Sequence, residues 1–457
     1  MVLLKSTTIL TELNSYIKQH EFTIRQFALK LGINVGTVSH ILNGTRKLTV
    51  NQLDRITEVM GFPRGHYYAE FIREYLEENN PDWRRIRPLL FNCVELDKLD
   101  CITETVNLLL ENLMYSPLLF DVAEELFQSK KYSAAEILYE NVADSERKQH
   151  SERLALCQYR LFTIRIGQDQ MQNFKTACQF EPFADRLDEI LQLDALKDLA
   201  NMYRSLRLWD RVEIFAREME HKAKILYFTE EHSKNSFFLE QQNKLSRPLF
   251  VYIAYAKLLY ANVSEGKGDY EHALQYTYEY ADLNWVKETD DNTKYWMNLF
   301  LAWAQANIFA NKLMSGDLSI LSDYISYIEM RSDEVFTALI NILYAANRYQ
   351  FNVDSILQRF EIKIKTFEPQ SKDMYSGQVI PDSCAKFFYE LAFYYLRKCD
   401  YRNGFKNIMQ GLEYSIKINK ESMILKFVGL FEDFSNEASI EVRALYKNLI
   451  KKVCAVL

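Results

Sequence analysis

Apolar positions in this chain recur at the three- and four-residue spacing of helices that bury one face, and a compact example lies near the N-terminus. Ile24, Phe27, Ala28 and Leu31 form one stripe, with Thr23 placed before it as an N-cap and Gly32 after it where the chain must turn. Asn34 then caps a second helix, in which Val38, Ile41 and Leu42 face inward. The outward set, Val35, Gly36, Thr37, Ser39 and His40, is short and mostly polar, which lets a helix backbone come close to base edges in a DNA groove.

The body carries a loose internal repeat. KKYSAAEILYENVA near Tyr132, RLWDRVEIFAREM near Trp209, GDYEHALQYTYEY near Tyr270 and CDYRNGFKNIMQG near Tyr401 each place an aromatic at a predicted turn. Three residues later stand Ala135, Val212, Ala273 and Gly404, and four further on Tyr139, Ala216, Thr277 and Ile408. Nine residues before the aromatic stand Ala123, Ala200, Ala261 and Ala392. Small residues at these places let two antiparallel helices pack closely while the aromatic plugs the bend. Weaker units are centred near Gln170, Leu318 and Tyr349. With 13 Gly and 8 Pro among 457 residues, the chain has few turn punctuators, so long helices dominate.

Between head and body, GHYYAEFIREYLEENN at 65–80 reads as a further helix ending before Pro81, and RRIRP at 84–88 is a short basic run. That run suits a second phosphate contact or, as the favoured reading, a solvated helix face or a brace. In KFVGLFEDF, Phe427, Leu430, Phe431 and Phe434 make an apolar stripe fit for a dimer contact or for a capping helix.

Charge divides the chain. Residues 1–65 hold eight Lys and Arg against four Asp and Glu, a net +4, whereas the whole chain is −7 and the remainder therefore −11. A basic head on an acidic body is expected if only the head meets a polyanion. The seven cysteines are scattered without a CxxC pair, which suits a reducing cytoplasm and predicts no zinc site. The start of the chain lacks the pattern of a signal peptide, and no apolar run approaches a membrane span. P-loop, GxSxG, HExxH and dinucleotide-type glycine patterns are missing, so neither an enzyme nor a bound cofactor or metal is expected.

The segment from about Leu10 to Met60 resembles the helix-turn-helix of phage repressors and their bacterial relatives: Ala28, Gly32, Val38 and the closing Asn43-Gly44 fit that pattern. The resemblance implies that Val35, Gly36, Ser39 and His40 read bases and that Asn34, Thr37 and Asn43 meet phosphates, with Arg46 and Lys47 in the following loop against the DNA backbone. This base-reading set departs from the pattern in lacking an Arg, Gln or second Asn for bidentate contacts, which shifts specificity toward His40, Ser39 and DNA shape. The body resembles the tetratricopeptide repeat, GDYEHAL being its best copy. The expected fold is therefore all-α, an N-terminal helix-turn-helix domain (1–66), linker helices (67–110) and an α-solenoid of degenerate repeats (111–457) with a concave face.

Aligned by the turn aromatic, Asn201, Asn262 and Asn341 fall eight residues before Trp209, Tyr270 and Tyr349. An amide carries both donor and acceptor, so such a ladder can clasp the backbone of an extended peptide. Lys197 and Arg204, Glu265, and Thr337 with Tyr344 would then supply selectivity, Lys197 and Arg204 also suiting a C-terminal carboxylate. A phage-repressor-type head on a tetratricopeptide-like body resembles the peptide-pheromone receptors of Gram-positive bacteria and their phages, the RRNPP group, which includes the arbitrium receptors of lysis–lysogeny control. The resemblance implies a cytoplasmic homodimer that binds double-stranded operator DNA under the control of a short signalling peptide. Two other functions compete with it: a protein-interaction scaffold, and a peptide-independent repressor.

Overall fold

A computed structural model describes residues 8–76, 82–148, 151–167, 169–229, 245–331, 334–365, 376–418 and 420–456. All regular structure among them is helical. The chain divides into two compact units, Met1–Arg165 and Ile166–Leu457.

The first unit opens with α1 (Ile9–Gln19), α2 (Ile24–Leu31), α3 (Val35–Leu42) and α4 (Val50–Val59). Ile9, Leu13, Phe27, Ala28, Leu31, Val38, Ile41, Leu48 and Leu53 are buried and form its core, while Ile24 is 40% exposed and Leu42 only half-buried. Thr23 and Thr49 each close a capping box, with Gln26 and Gln52, so α2 and α4 begin where their first free N–H groups find acceptors. Gly32 takes φ 64°, a left-handed turn between α2 and α3 that favours glycine. Next come α5 (Tyr68–Leu76), α6 (Trp83–Glu95), α7 (Leu99–Leu109), α8 (Ser116–Gln128), α9 (Tyr132–Ser145) and α10 (Glu152–Arg165). Part of the expected 65–80 helix is thus α5, and residues 77–81 lie outside the described residues. Asp54 of α4 is buried, and its Oδ2 accepts hydrogen bonds from Arg64 Nε (3.0 Å), Tyr68 Oη (3.0 Å) and Asn92 Nδ2 (3.1 Å). One carboxylate therefore joins α4 to α5 and α6. In the basic run, Arg87 bonds Glu125 of α8 at 2.7 Å and Arg85 lies 3.6 Å from Asp82, which makes the run a brace.

The second unit holds α11 (Gln170–Phe180), α12 (Glu189–Ser205), α13 (Trp209–Phe228), α14 (Leu249–Lys267), α15 (Tyr270–Ala281), α16 (Asp291–Met314), α17 (Leu321–Met330) and α18 (Val335–Tyr349). After them come α19 (Asp354–Arg359), α20 (Glu361–Lys365), α21 (Ser376–Arg397), α22 (Tyr401–Lys417), α23 (Glu421–Asp433) and α24 (Ile440–Val456). Consecutive helices pack as antiparallel hairpins in a repeat-like series.

The same hairpin recurs in both units. Tyr132, Trp209, Tyr270 and Tyr401 are each the first residue of a second helix, and the flanking Ala123, Ala200, Ala261 and Ala392, like Ala135, Val212 and Ala273, have no exposed surface. Gly404 belongs to this set because a Cβ there would stand 2.6 Å from Leu396. Two residues before each aromatic the backbone is left-handed: Lys130 (φ 60°), Arg207 (φ 59°), Gly268 (φ 80°) and Cys399 (φ 61°). The following N–H reaches back five residues, as Lys131 to Leu126 O, Leu208 to Tyr203 O, Asp269 to Ser264 O and Asp400 to Tyr395 O, all at 2.8–3.0 Å. This Schellman-type closure satisfies carbonyls that the helix end leaves free. Asp97 (φ 54°) with Lys98 N to Cys93 O gives α6 and α7 the same turn, although no aromatic marks it.

At the C-terminus Phe427, Leu430 and Phe431 are buried and Phe434 half-buried, with Phe431 stacked on Tyr446 of α24 at 3.7 Å. The stripe is covered from within the chain, so the capping reading holds and a dimer contact through these rings does not.

Candidate nucleic-acid interface and peptide site

In the head, Asn34, Val35, Gly36, His40, Asn43, Arg46 and Lys47 are exposed, and Thr37 and Ser39 are half-exposed. The inferred DNA-facing set therefore gathers on one side of α3 and the loop after it, because Val38 and Ile41 are drawn into the core. Asn34 caps the helix, its Oδ1 accepting from Gly36 N at 2.8 Å. The remaining free N–H groups at the N-terminus of α3 favour an anion. Arg46 Nη1 lies 3.4 Å from Thr37 Oγ1, and Arg55 Nη1 donates to Gly32 O at 3.1 Å, tying α4 to the turn. Gly44, at φ 70°, folds the chain back so that Thr45 Oγ1 sits 3.0 Å from both Nδ1 and the carbonyl of His40. Thr45 is absent from the sequence-derived set; its one signal is the Asn-Gly pair that makes the return.

The inferred peptide residues all belong to the second unit and fall on α12, α14 and α18, but not as a row of free amides. Lys197 is buried, with its ammonium 2.8 Å from Asp194 and 3.3 Å from Asp198, so it is already neutralised and does not stand beside Arg204 as a carboxylate receptor. Burial would lift Asp194, but Lys197 and the bonds from Ser246 outweigh it and hold the carboxyl below its ordinary value. Asn201 is also buried and accepts from Tyr255 Oη at 2.6 Å. Arg204 Nη1 donates to Asn262 Oδ1 at 3.1 Å, a link between successive hairpins.

Glu265 lies near the amides of Asn262 and Asn311. Its burial raises the carboxyl above the ordinary value despite those amides and the more distant Lys386 and Arg204. Thr337 is exposed, Asn341 lies against the Tyr324 hydroxyl, and Tyr344 meets the hydroxyl of Tyr270.

The left-handed turn residue corrects the alignment. Counting six residues back from Arg207, Gly268 and Gln350 gives Asn201, Asn262 and Tyr344, so Asn341 is not the equivalent of the other two. Tyr349 misled the spacing because it ends α18 instead of opening the next helix. Counting three back gives Arg204, Glu265 and Asn347. Asn347 Nδ2 donates to both the carbonyl and the carboxylate of buried Glu390 at 2.8 and 2.9 Å, and burial raises that carboxyl too. A polar series thus runs through α12, α14, α16, α18 and α21, and Tyr255, Asn311, Asn347 and Glu390 are members that spacing alone did not reveal.

Among the described residues no group of His, Cys, Asp and Glu is arranged to hold a metal, and no helix is long and apolar enough to cross a membrane. Neither a curated protein nor a solved structure matches the chain. Residues 13–65, however, match the helix-turn-helix family. The chain carries at its N-terminus a phage-repressor-type helix-turn-helix, a DNA-binding fold that points to a transcription regulator, followed by a helical repeat-like region.

Proposed function

We propose that this protein is a transcription regulator whose head binds operator DNA and whose repeat-like region binds a short signalling peptide that controls that binding. The observation carrying the DNA half is the matched helix-turn-helix with its exposed α3 face beside Arg46 and Lys47. One head offers few base contacts, so the working form is a homodimer meeting two half-sites at a fixed spacing. Within this reading residues 1–66 read DNA, 67–110 connect, and 111–457 form a tetratricopeptide-like sensor of the RRNPP kind. The recurring small residues and turn geometry support that likeness.

The peptide half rests on the polar series, where Glu265, Asn262, Tyr344 and Thr337 keep accessible surface. A peptide changes DNA affinity only through a difference in its affinity for two shapes of the sensor. The internal pairing of Lys197 and Asn201 favours a second reading, in which the series is structural and the regulator works without peptide.

A salt-dependent gel shift with promoter DNA tests the first half. Sequence-preferring binding that weakens in Arg46→Ala with Lys47→Ala is expected, and no such binding at moderate salt removes the reading. Calorimetry with synthetic peptides from short secreted reading frames beside the gene tests the second; absence of heat with all of them leaves the peptide-independent repressor.

A further inference from the structure

We propose that Arg247, stacked on Trp296 at the α12 end of the polar series, is the receptor for a carboxylate of the bound peptide. The proposal rests on the peptide reading above and supplies the anchor that Lys197 and Arg204 do not.

Arg247 is a cation without an acceptor. Its guanidinium carbon lies 5.2 Å from the centre of the Trp296 ring. Nη1 is buried and no acceptor meets it, and among the described residues no other cationic nitrogen is left so. The nearby acid is already engaged. Asp194, which accepts from the N–H of the neighbouring Ser246 at 3.1 Å, also takes Lys197 Nζ and Tyr252 Oη, both at 2.8 Å. Asp198 faces Lys197 at 3.3 Å. A charged donor withdrawn from water is costly unless it is paired, so a guanidinium that finds no partner within the chain points to one from outside.

The surroundings select the partner. Stacking on the indole holds the guanidinium plane, whose paired N–H groups match two coplanar oxygens. Pro248, next in the chain, gives α14 no side-chain cap, so the first N–H groups of that helix add partial positive charge. A single cation balances the one charge of a carboxylate, whereas a phosphate monoester brings about two. The pair also stands with the polar series. Trp296 of α16 and Tyr255 of α14 pack on one cluster, around Phe250, Ala254 and Phe300, and Tyr255 bonds Asn201. Arg247, Trp296 and Tyr255 all keep accessible surface.

The test is affinity selection by the full-length protein from a hexapeptide mixture randomised at every position, prepared with free and with amidated C-termini and read by mass spectrometry. If the carboxylate is the C-terminal one, wild type is expected to retain the free acids roughly tenfold or more above the amides. If it is a side chain, both preparations are expected to yield peptides that share Asp or Glu at one position. Arg247→Gln removes either preference, and Arg247→Lys restores only part of it, because an ammonium lacks the fork. Arg217→Gln, at an exposed site on α13, leaves it unchanged. Since the guanidinium has no acceptor within the chain, Arg247→Gln is expected to keep or raise the melting temperature. A marked fall would give the stack a structural part and overturn the proposal. Retention without a carboxylate preference, or a preference that survives Arg247→Gln, overturns it and leaves peptide binding standing. If no peptide is retained in either form, the peptide reading fails and the proposal falls with it.

Discussion

Several residues here stand where their own chemistry resists the fold, and they yield sharp predictions. Arg207 and Gly268 occupy the same left-handed position in two hairpins, but only glycine adopts it without strain. Arg207→Gly should therefore stabilise the chain by about 0.5–1 kcal/mol and Gly268→Ala destabilise it by about 1 kcal/mol, both read from denaturant midpoints. Glu265 gives a pH-dependent counterpart. Its folded carboxyl is raised by burial, so the folded state holds the proton more tightly than the unfolded chain. Stability from this group is complete below the ordinary carboxylate range and is lost as pH rises through the raised value. Glu265→Gln should then raise the melting temperature near neutral pH and change little near about pH 4; a lower melting temperature at neutral pH would count against it. Glu146 behaves in the opposite sense. Burial would lift it, but bonds from Ser151, Ser116 and Arg153 prevail and lower it, so its contribution is lost on acidification.

At the scale of elements, much was legible because helix pairs of this type demand small residues at fixed offsets. Ala123, Ala200, Ala261 and Ala392 were readable for that reason, and so were Thr23, Gly32 and Asn34 at the ends of the recognition helices. What escaped the sequence was register wherever the turn is set by backbone conformation instead of side-chain type. Gln350 is left-handed although nothing in its residue type demands it, so the nearby Tyr349 displaced the alignment and Asn341 with it. The α6–α7 turn was missed because Leu90 and Leu99 stand where the other units have alanine and an aromatic. Contacts between hairpins were equally hidden. Gly266 is one of them: a Cβ there would lie 2.2 Å from the Trp209 ring, so the ring of one hairpin rests on the bare backbone of the next. Gly266→Ala should cost about 1–3 kcal/mol in denaturant unfolding, and a smaller effect would mean that the indole moves freely aside.

For the whole molecule, the division into a basic head and an acidic remainder was plain from charge alone, whereas the pairing within the proposed peptide-binding series was not. Its candidate residues bond one another across helices, and a single sequence carries no record of such pairings. Electrostatics supplies the test at this scale: if Arg46 and Lys47 each neutralise a phosphate, replacing both with Ala should reduce the slope of log affinity against log salt by about two. An unchanged slope would place them off the DNA.

The Asp54 carboxylate has a mechanical consequence for that contact. By gathering Arg64, Tyr68 and Asn92 it clamps α4 to the helices behind it. Within the first unit the head is thus held to α5 and α6 by side-chain bonds as well as by the chain. If the proposed homodimer forms, two heads so held would tolerate little error in phase along a double helix, so one base pair added between half-sites, which rotates the second site by about a tenth of a turn, should weaken binding in a gel shift.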